Sequence, residues 1–234
     1  MVKALLFDVF GTVVDWRGSV AREAKKALAP RGHELDWHDF ARRWRDRYQP
    51  AMEEVRSGAR PYTILDVLHR ENLEALLEEF GVSGLGEAEK DDLNRAWHRL
   101  DPWPDAVLGL SRLKRKYIIG TCSNGNIALM VNMARHARLP WDTILGAEVA
   151  RAYKPQPDAY RLSCAALGLA PEEVMMTAAH NGDLHAAAAE GMATAFVPRR
   201  TEHGPGQRTD LEADPGFTVV AEDFIDLADR LGCP

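Results

Sequence analysis

Residues 2–12 have the sequence VKALLFDVFGT, and they predict the first strand of a buried sheet. Residues 2–7 are apolar apart from Lys3, which is the pattern of a strand that is covered on both faces. The strand ends at Asp8, and Gly11 permits a sharp turn shortly after it. We therefore expect a carboxylate at the mouth of a sheet, with room for a ligand beside it.

Two different patterns follow this turn. Up to about residue 100 the sequence has helical periodicity without intervening strands, whereas from residue 101 short apolar strands alternate with helix-length stretches. The alternation predicts parallel βαβ units, so we expect the first strand and the second half of the chain to form one doubly wound α/β sheet with an inserted helical cap. The core domain is placed at residues 1–13 and 98–234, and the cap at residues 14–97. The predicted cap helices are 19–28, 37–54, 62–80 and 87–100, the later strands are 117–121, 143–145, 174–177 and 194–197, and 199–215 is a long loop.

Ligands of such sheets bind outside the carboxyl ends of the strands, so the residues that follow the strands are the candidate site. They are Asp8, Ser123 with Asn124, Lys154 and Asp183. Each has an ordinary alternative: a solvated turn carboxylate, a helix N-cap, a surface lysine and an acid in the first turn of a helix. An ammonium group beside a strand-end carboxylate would, however, favour its ionised form.

Composition and charge limit the kind of partner. The chain has 234 residues, of which 46% are hydrophobic and 27% charged, as in a globular protein with a sizeable core. A formal net charge of -6 argues against a broad contact with nucleic acid or an anionic membrane, so we expect a small-molecule substrate. Three cysteines without a closely spaced pair, and no signal-peptide or membrane-span pattern, lead us to expect a cytoplasmic protein.

The four strand-end groups, in their order along the chain, resemble the haloacid dehalogenase superfamily. The sequence blocks of that superfamily are a nucleophilic Asp, a Ser or Thr, a Lys and an acidic turn, which correspond here to Asp8, Ser123, Lys154 and Asp183. The resemblance covers essentially the whole chain, and residues from about 14 to 97 match the helical cap. It implies a Rossmann-like core of the kind expected above.

Two positions depart from the magnesium-dependent phosphatases that make up most of this superfamily. Those enzymes have Asp-x-Asp in the first block, but this chain has Phe10 in place of the second acid, which serves as general acid and base. Their last block is Gly-Asp-x-x-x-Asp, and aligning its final acid with Asp183 puts Ala179 where a metal-binding acid should be. Because Mg²⁺ prefers octahedral oxygen ligation, Asp8 and Asp183 alone make a weak cage. We expect no metal and no other cofactor.

The remaining motifs look like the L-2-haloacid dehalogenase family. They are Asp-x-aromatic-Gly-Thr at residues 8–12, the turn Ser123-Asn124-Gly125, Lys154 followed by Tyr160, and the cap pair Trp44-Arg45. The resemblance implies that Asp8 attacks C2 of a short 2-haloalkanoate with inversion, and that water activated by Asp183 hydrolyses the resulting ester to a 2-hydroxy acid. Thr12 and Ser123 would hold the substrate carboxylate or the ester, and Arg45 and Asn124 would bind the halide. Phe10 belongs to the same set of binding residues. Tyr160 would support Lys154 or Asp8.

Two further features qualify this assignment. Arg42, Arg43 and Arg47 lie beside Arg45, so the alternative is that Arg45 belongs to a solvated arginine face of the helix. The last block of the family is usually Ser-Ser-Asn-x-x-Asp, whereas this chain has AAHNGD at residues 178–183, which puts His180 in place of a pocket asparagine. This version resembles a subgroup that includes enzymes acting on fluoroacetate, in which His180 would be a close donor to a small, poor leaving group. A satisfied structural histidine is the alternative.

Two other functions stay open. A magnesium-dependent small-molecule phosphatase of the same superfamily would be inhibited by EDTA, whereas a dehalogenase would release halide without a metal. A non-catalytic binding protein with this fold would have no chemical need for Asp8, Lys154 and Asp183 together. The habit of the family implies a homodimer, for which the apolar cap residues Leu65, Val67 and Leu68 are candidates, although such residues are more often core.

Overall fold

The computed structural model describes all 234 residues, and it has a parallel sheet at its centre. The strands are β1 (Ala4–Phe7), β2 (Val14–Asp15), β3 (Asp101–Pro102), β4 (Ile118–Ser123), β5 (Thr143–Gly146), β6 (Val174–Ala178), β7 (Ala193–Phe196) and β8 (Val219–Val220). Six of them form one sheet in the order β5-β4-β1-β6-β7-β8, with every neighbouring pair parallel. The four later strands predicted from the sequence are confirmed within a few residues, and β8 is an addition to them.

Helices cover both faces of this sheet. Leu5 and Phe7 of β1 belong to one buried apolar cluster, whereas Ala4 and Leu6 belong to a second cluster on the opposite face. This alternation explains why the first strand is almost entirely apolar, and it confirms the doubly wound α/β fold. The helices are α1 (Trp16–Leu28), α2 (Trp37–Asp46), α3 (Tyr48–Arg56), α4 (Leu65–Glu79), α5 (Glu87–Asn94), α6 (Ala106–Leu113), α7 (Ile127–Ala137), α8 (Ala147–Ala150), α9 (Pro157–Ala166), α10 (Asn181–Ala189) and α11 (Phe224–Arg230).

The helices α1 to α5 lie between β2 and β3, which pair with each other as a short antiparallel ribbon. The chain therefore enters and leaves the helical insertion side by side. Hydrogen bonds join the insertion to the core: the Asn126 side-chain amide donates to Asp66 at 2.8 Å, and the Tyr153 hydroxyl donates to the Thr63 carbonyl at 2.6 Å. The domain boundaries at residues 14 and 97 stay a prediction.

Residues 37–54, predicted as one helix, are two. The first ends at Asp46 and the second begins at Tyr48. Pro50 explains the break, because it has no N–H for the Asp46 carbonyl and its ring would clash with that carbonyl in a continuous helix. The break has a consequence for the site, since Arg45 lies in the last turn of one helix and Tyr48 begins the next.

The cap residues proposed for a dimer contact have different surroundings. Leu65 and Leu68 are fully buried and belong to the apolar core, so they are wrong as dimer candidates. Val67 is 41% exposed and stays on the surface. None of the helices is both long enough and apolar enough to cross a membrane.

Candidate active site

A cavity of about 620 Å³ lies at the carboxyl ends of the parallel strands, between the sheet and the cap. Most of the residues that line it are polar, and seven predicted site residues are among them. Phe10, Thr12 and Ser123 are buried and do not line it. The seven that do are Asp8, Arg45, Asn124, Lys154, Tyr160, His180 and Asp183.

Asp8 lies on the floor of the cavity, directly after β1, and is only 6% exposed. Its Oδ1 accepts a hydrogen bond from Lys154 Nζ at 2.9 Å, and its Oδ2 accepts one from Thr12 Oγ1 at 2.8 Å. His180 Nδ1 lies 3.1 Å from the same Oδ2. Burial alone would raise the pKa of Asp8, but Lys154 and His180 outweigh it and hold that pKa well below its usual range. The carboxylate is therefore ionised at neutral pH.

Lys154 is the counter-charge of two carboxylates. Its ammonium group contacts Asp8 and also Asp183, while its backbone N–H donates to Asn124 Oδ1 at 2.8 Å. Burial would lower the pKa of Lys154, but Asp183 and Asp8 raise it well above its usual value. Asn124, which follows β4, therefore fixes the backbone of the lysine.

Tyr160 contacts a different partner from the two that the sequence suggested. Its hydroxyl donates to Asp183 Oδ1 at 2.6 Å, and it has no hydrogen bond to Lys154 or Asp8. Burial raises the pKa of Asp183, Lys154 counteracts this in part, and the charge of Asp8 adds to the rise. Asp183 is thus the more basic of the two carboxylates.

Thr12 and Ser123 support the site from below rather than from its surface. The Thr12 hydroxyl accepts a hydrogen bond from the Ala179 N–H at 2.9 Å, which leaves its own proton for Asp8. Ser123 Oγ accepts from the Gly125 N–H at 3.1 Å within the turn after β4. Their predicted direct contacts with substrate stay predictions.

Sequence reasoning missed Glu202, which lies in the loop predicted at residues 199–215. Its side chain is buried, accepts from Trp16 Nε1 at 2.9 Å, and lies 2.8 Å from His180 Nε2. The approach requires Gly11, which has φ +86°, because a Cβ there would lie 2.0 Å from Glu202 Oε1. No motif marks a glutamate in a long loop, so the sequence had no signal for it.

Arg199 holds this loop against the first turn. Its guanidinium makes two hydrogen bonds to Asp105, at 2.7 and 2.8 Å, and donates through Nε to the Thr12 carbonyl at 2.9 Å. Both side chains of the ion pair are buried, and such a bidentate pair fixes orientation as well as charge. The position of Glu202 thus follows from a contact three residues before it.

Arg45 is the arginine that faces the cavity. Its guanidinium carbon lies 4.0 Å from the Tyr48 ring centroid, 5.5 Å from that of Trp16 and 5.7 Å from that of Phe10. Its Nη1 is buried without a hydrogen-bond partner. The three neighbouring arginines instead form ion pairs on the cap with Asp39, Asp46 and Glu79; they are Arg42, Arg43 and Arg47.

The donor set does not fit a magnesium ion. The ammonium group of Lys154 lies between Asp8 and Asp183, which are the two carboxylates that a metal would need. Phe10 and Ala179 contribute no oxygen ligand from their side chains. The site is therefore one in which an ionised carboxylate has a lysine as its counter-charge.

Fold and site together fit a hydrolase, and a family model of haloacid dehalogenase-like hydrolases matches residues 2–191. The chain belongs to the haloacid dehalogenase-like hydrolase family. It is similar to a curated (S)-2-haloacid dehalogenase of Xanthobacter autotrophicus, with 30% identity over 86% of this chain and 77% of the relative.

Two solved structures are more similar still. One is a defluorinating L-2-haloacid dehalogenase, with 50% identity, a TM-score of 0.97, and coverage of 99% of this chain and 96% of that one. The other is an L-2-haloacid dehalogenase with 47% identity, a TM-score of 0.96, and coverage of 99% of both chains.

Proposed function

We propose that this protein is a hydrolytic dehalogenase that converts short L-2-haloalkanoic acids to 2-hydroxy acids with inversion, through an ester of Asp8. The observation that carries the proposal is the ionised Asp8 at the cavity floor, held by Lys154 in a site that does not fit a magnesium ion. The similarity to L-2-haloacid dehalogenases supports the same reaction.

In the first step Asp8 displaces the halide. A 2-haloalkanoate has an electrophilic carbon next to its carboxylate, and displacement needs an ionised nucleophile in line with the leaving group. Arg45 lines the same cavity as Asp8 and its guanidinium makes no ion pair, so it is the proposed donor to the departing halide. Asn124 is a weaker candidate, because its amide oxygen is already bound to the Lys154 backbone.

In the second step water cleaves the ester at Cγ of Asp8. Asp183 is the proposed base, since its raised pKa makes it the better proton acceptor and Tyr160 holds its carboxylate in place. Lys154 keeps Asp183 close to the ester. The oxygen of the water stays in the side chain of Asp8, and the former nucleophilic oxygen leaves with the 2-hydroxy acid.

The test is halide release from each enantiomer of 2-chloropropionate, with and without EDTA. We expect release from the L-enantiomer, no effect of EDTA, and ¹⁸O in Asp8 after one turnover in ¹⁸O-labelled water. Magnesium-dependent hydrolysis of an aryl phosphate instead would favour the phosphatase alternative. Neither reaction would favour a non-catalytic binding protein.

Fluoroacetate is a proposed additional substrate. A similar solved structure is that of a defluorinating enzyme, and the cavity contains His180 beside Asp8. Both ring nitrogens of His180 face carboxylates, so they are not free to donate to fluoride, contrary to the expectation from the sequence. We expect fluoride release from fluoroacetate by enzyme that turns over chloroacetate. Turnover of chloroacetate alone would limit the protein to the heavier halides.

A cytoplasmic homodimer remains part of the proposal. The net charge of -6 and the unpaired cysteines support a reducing compartment without nucleic-acid or membrane partners. Light scattering of the purified protein tests the dimer directly, since a molecular mass equal to that of one chain would exclude it.

A further inference from the structure

His180 lies between two carboxylates. Its Nδ1 is 3.1 Å from Asp8 Oδ2, and its Nε2 is 2.8 Å from Glu202 Oε2. A neutral imidazole has only one N–H, so it can donate to one of these oxygens but would face the other with a lone pair. Two ionised carboxylates therefore require both ring nitrogens to be donors, and His180 is an imidazolium.

The two oxygens of Asp8 are not equivalent. Oδ2 accepts from Thr12 and from His180, whereas Oδ1 accepts only from Lys154. The Thr12 proton is committed to Oδ2 because the Thr12 oxygen accepts from the Ala179 N–H. A carboxylate oxygen has two in-plane lone pairs, so Oδ1 retains one for attack and Oδ2 has none.

We propose that Thr12 and His180 form an oxyanion hole on Asp8 Oδ2 for hydrolysis of the ester, and that Glu202 is the positioning residue that keeps His180 in its charged, donating form. The proposal rests on the dehalogenase function proposed above. It assigns Oδ1 as the nucleophile and Oδ2 as the ester carbonyl oxygen.

The hydrolytic step then balances as follows. Water adds to Cγ and gives one proton to Asp183, while the carbonyl electron pair moves onto Oδ2, where Thr12 and His180 already donate. The Cγ–Oδ1 bond breaks, and the departing alkoxide takes a proton from Lys154, which regains one from Asp183. The second proton of the water is released to solvent when Asp8 ionises again. Donors placed before charge develops need no reorganisation during the step.

Glu202 is suited to this role because its carboxylate is buried and His180 is the cationic group that it contacts directly. It is 1% exposed, and Trp16 Nε1 holds its Oε1 while His180 faces Oε2. His203, the remaining titratable neighbour, is 3.7 Å from Oε1 and lies on the solvent side. Burial alone would lower the pKa of His180, but Glu202 and Asp8 hold it well above its usual value.

The experiment uses Glu202→Gln in a single turnover with L-2-chloropropionate. Glutamine can still accept from His180 but has no charge to stabilise the imidazolium. We expect a halide burst within about threefold of the parent, accumulation of the ester on Asp8 in the intact-protein mass, and ester hydrolysis slower by about 10²-fold, as for loss of one oxyanion-hole donor. Glu212→Gln, an exposed glutamate in the same loop, is the matched control and should show none of this.

The pH profile of ester hydrolysis separates positioning from structure. Loss of the Glu202 charge lowers the pKa of His180. The alkaline limb of the hydrolysis profile should therefore lie at lower pH in the variant than in the parent. His180→Gln, which donates without a charge, should also accumulate ester, and it decides the matter if Glu202→Gln does not fold. A halide burst with unchanged hydrolysis in both variants would overturn the oxyanion hole while leaving the dehalogenase intact. Parent enzyme that releases no halide would overturn the proposed function instead.

Discussion

The sheet side and the cap side of the cavity differ in how many of their polar atoms already have partners. On the sheet side, Asp8, Lys154 and Asp183 form a continuous hydrogen-bonded network with opposite charges in contact. On the cap side, Arg45 lies among aromatic rings with a buried Nη1 that has no partner. His69, also in the cap, is fully buried and neither of its ring nitrogens has a partner.

This difference separates chemistry from recognition. Groups that must hold a fixed charge and direction gain from a saturated network, because nothing needs to rearrange when the reaction begins. A donor meant for a substrate or a leaving group must instead stay free until the ligand arrives. In the proposed reaction, the sheet thus supplies the reacting groups and the cap supplies the donor to the halide.

Removal of the nucleophile should have the largest effect. Asp8→Asn keeps the shape of the side chain but cannot form the ester, so we expect halide release to fall by roughly 10⁴-fold or more. Lys154 still has Asp183 as a partner, so thermal unfolding should show a folded protein. If the folded Asp8→Asn variant released halide at a rate near that of the parent, Asp8 would not be the nucleophile and the reacting group would lie outside the sheet side.

Replacement of the open donor on the cap side should have the next largest effect. Arg45→Gln removes the charge in the aromatic cage, and we expect kcat/KM for L-2-chloropropionate to fall by about 10²- to 10³-fold. Arg43→Gln is the matched control, because Arg43 pairs with Asp39 and Glu79 on the cap surface, and it should change kcat/KM by less than about twofold. Equal losses of kcat/KM in the two variants would mean that the arginines of this helix act only through their total positive charge and that Arg45 has no specific role.

A smaller effect should follow from loss of one hydrogen bond within the sheet-side network. Tyr160→Phe removes a donor to Asp183, which raises the pKa of that carboxyl further. Because Asp183 acts as a base only when ionised, the acid limb of ester hydrolysis should move to higher pH, with a loss of about tenfold on that limb. Tyr153→Phe, which loses a bond to the Thr63 carbonyl instead, should leave the pH profile unchanged.

Much of the sheet side could be predicted from the sequence. The order of strands places Asp8, Asn124, Lys154 and Asp183 at one edge, and the carboxyl ends of parallel strands meet there whatever the details of packing. The position of Arg45 follows less directly, because it depends on a helix break at Pro50 that periodicity alone did not reveal.

Glu202 and the true partner of Tyr160 could not be predicted. Glu202 reaches His180 only because Arg199 and Asp105 fix the loop and Gly11 leaves space for the carboxylate. Tyr160 lies in α9, six residues after Lys154, and which group its hydroxyl meets depends on the packing of that helix rather than on spacing. Contacts between segments far apart in the chain carry no local pattern.

A last prediction concerns stability rather than rate, and it distinguishes two histidines by the sign of their pKa shifts. His180 has a carboxylate on each side and a raised pKa, whereas burial lowers the pKa of His69 to about 3. The unfolded chain binds a proton at His69 below about pH 6.5 and the folded chain does not, so this residue makes the protein less stable as the pH falls toward 3.

His69→Phe keeps a ring on Trp97, which lies 4.4 Å from the His69 ring centroid, and removes that proton. Between pH 7.5 and 5, the free energy of unfolding should therefore fall by about 2 kcal/mol less in the variant than in the parent. Denaturant unfolding at the two pH values measures this difference independently of any constant packing cost, and His38→Gln, at an exposed position of the cap, should behave like the parent. An unchanged pH dependence in His69→Phe would mean that His69 finds a partner in solution, and the cap side would then be as saturated as the sheet side.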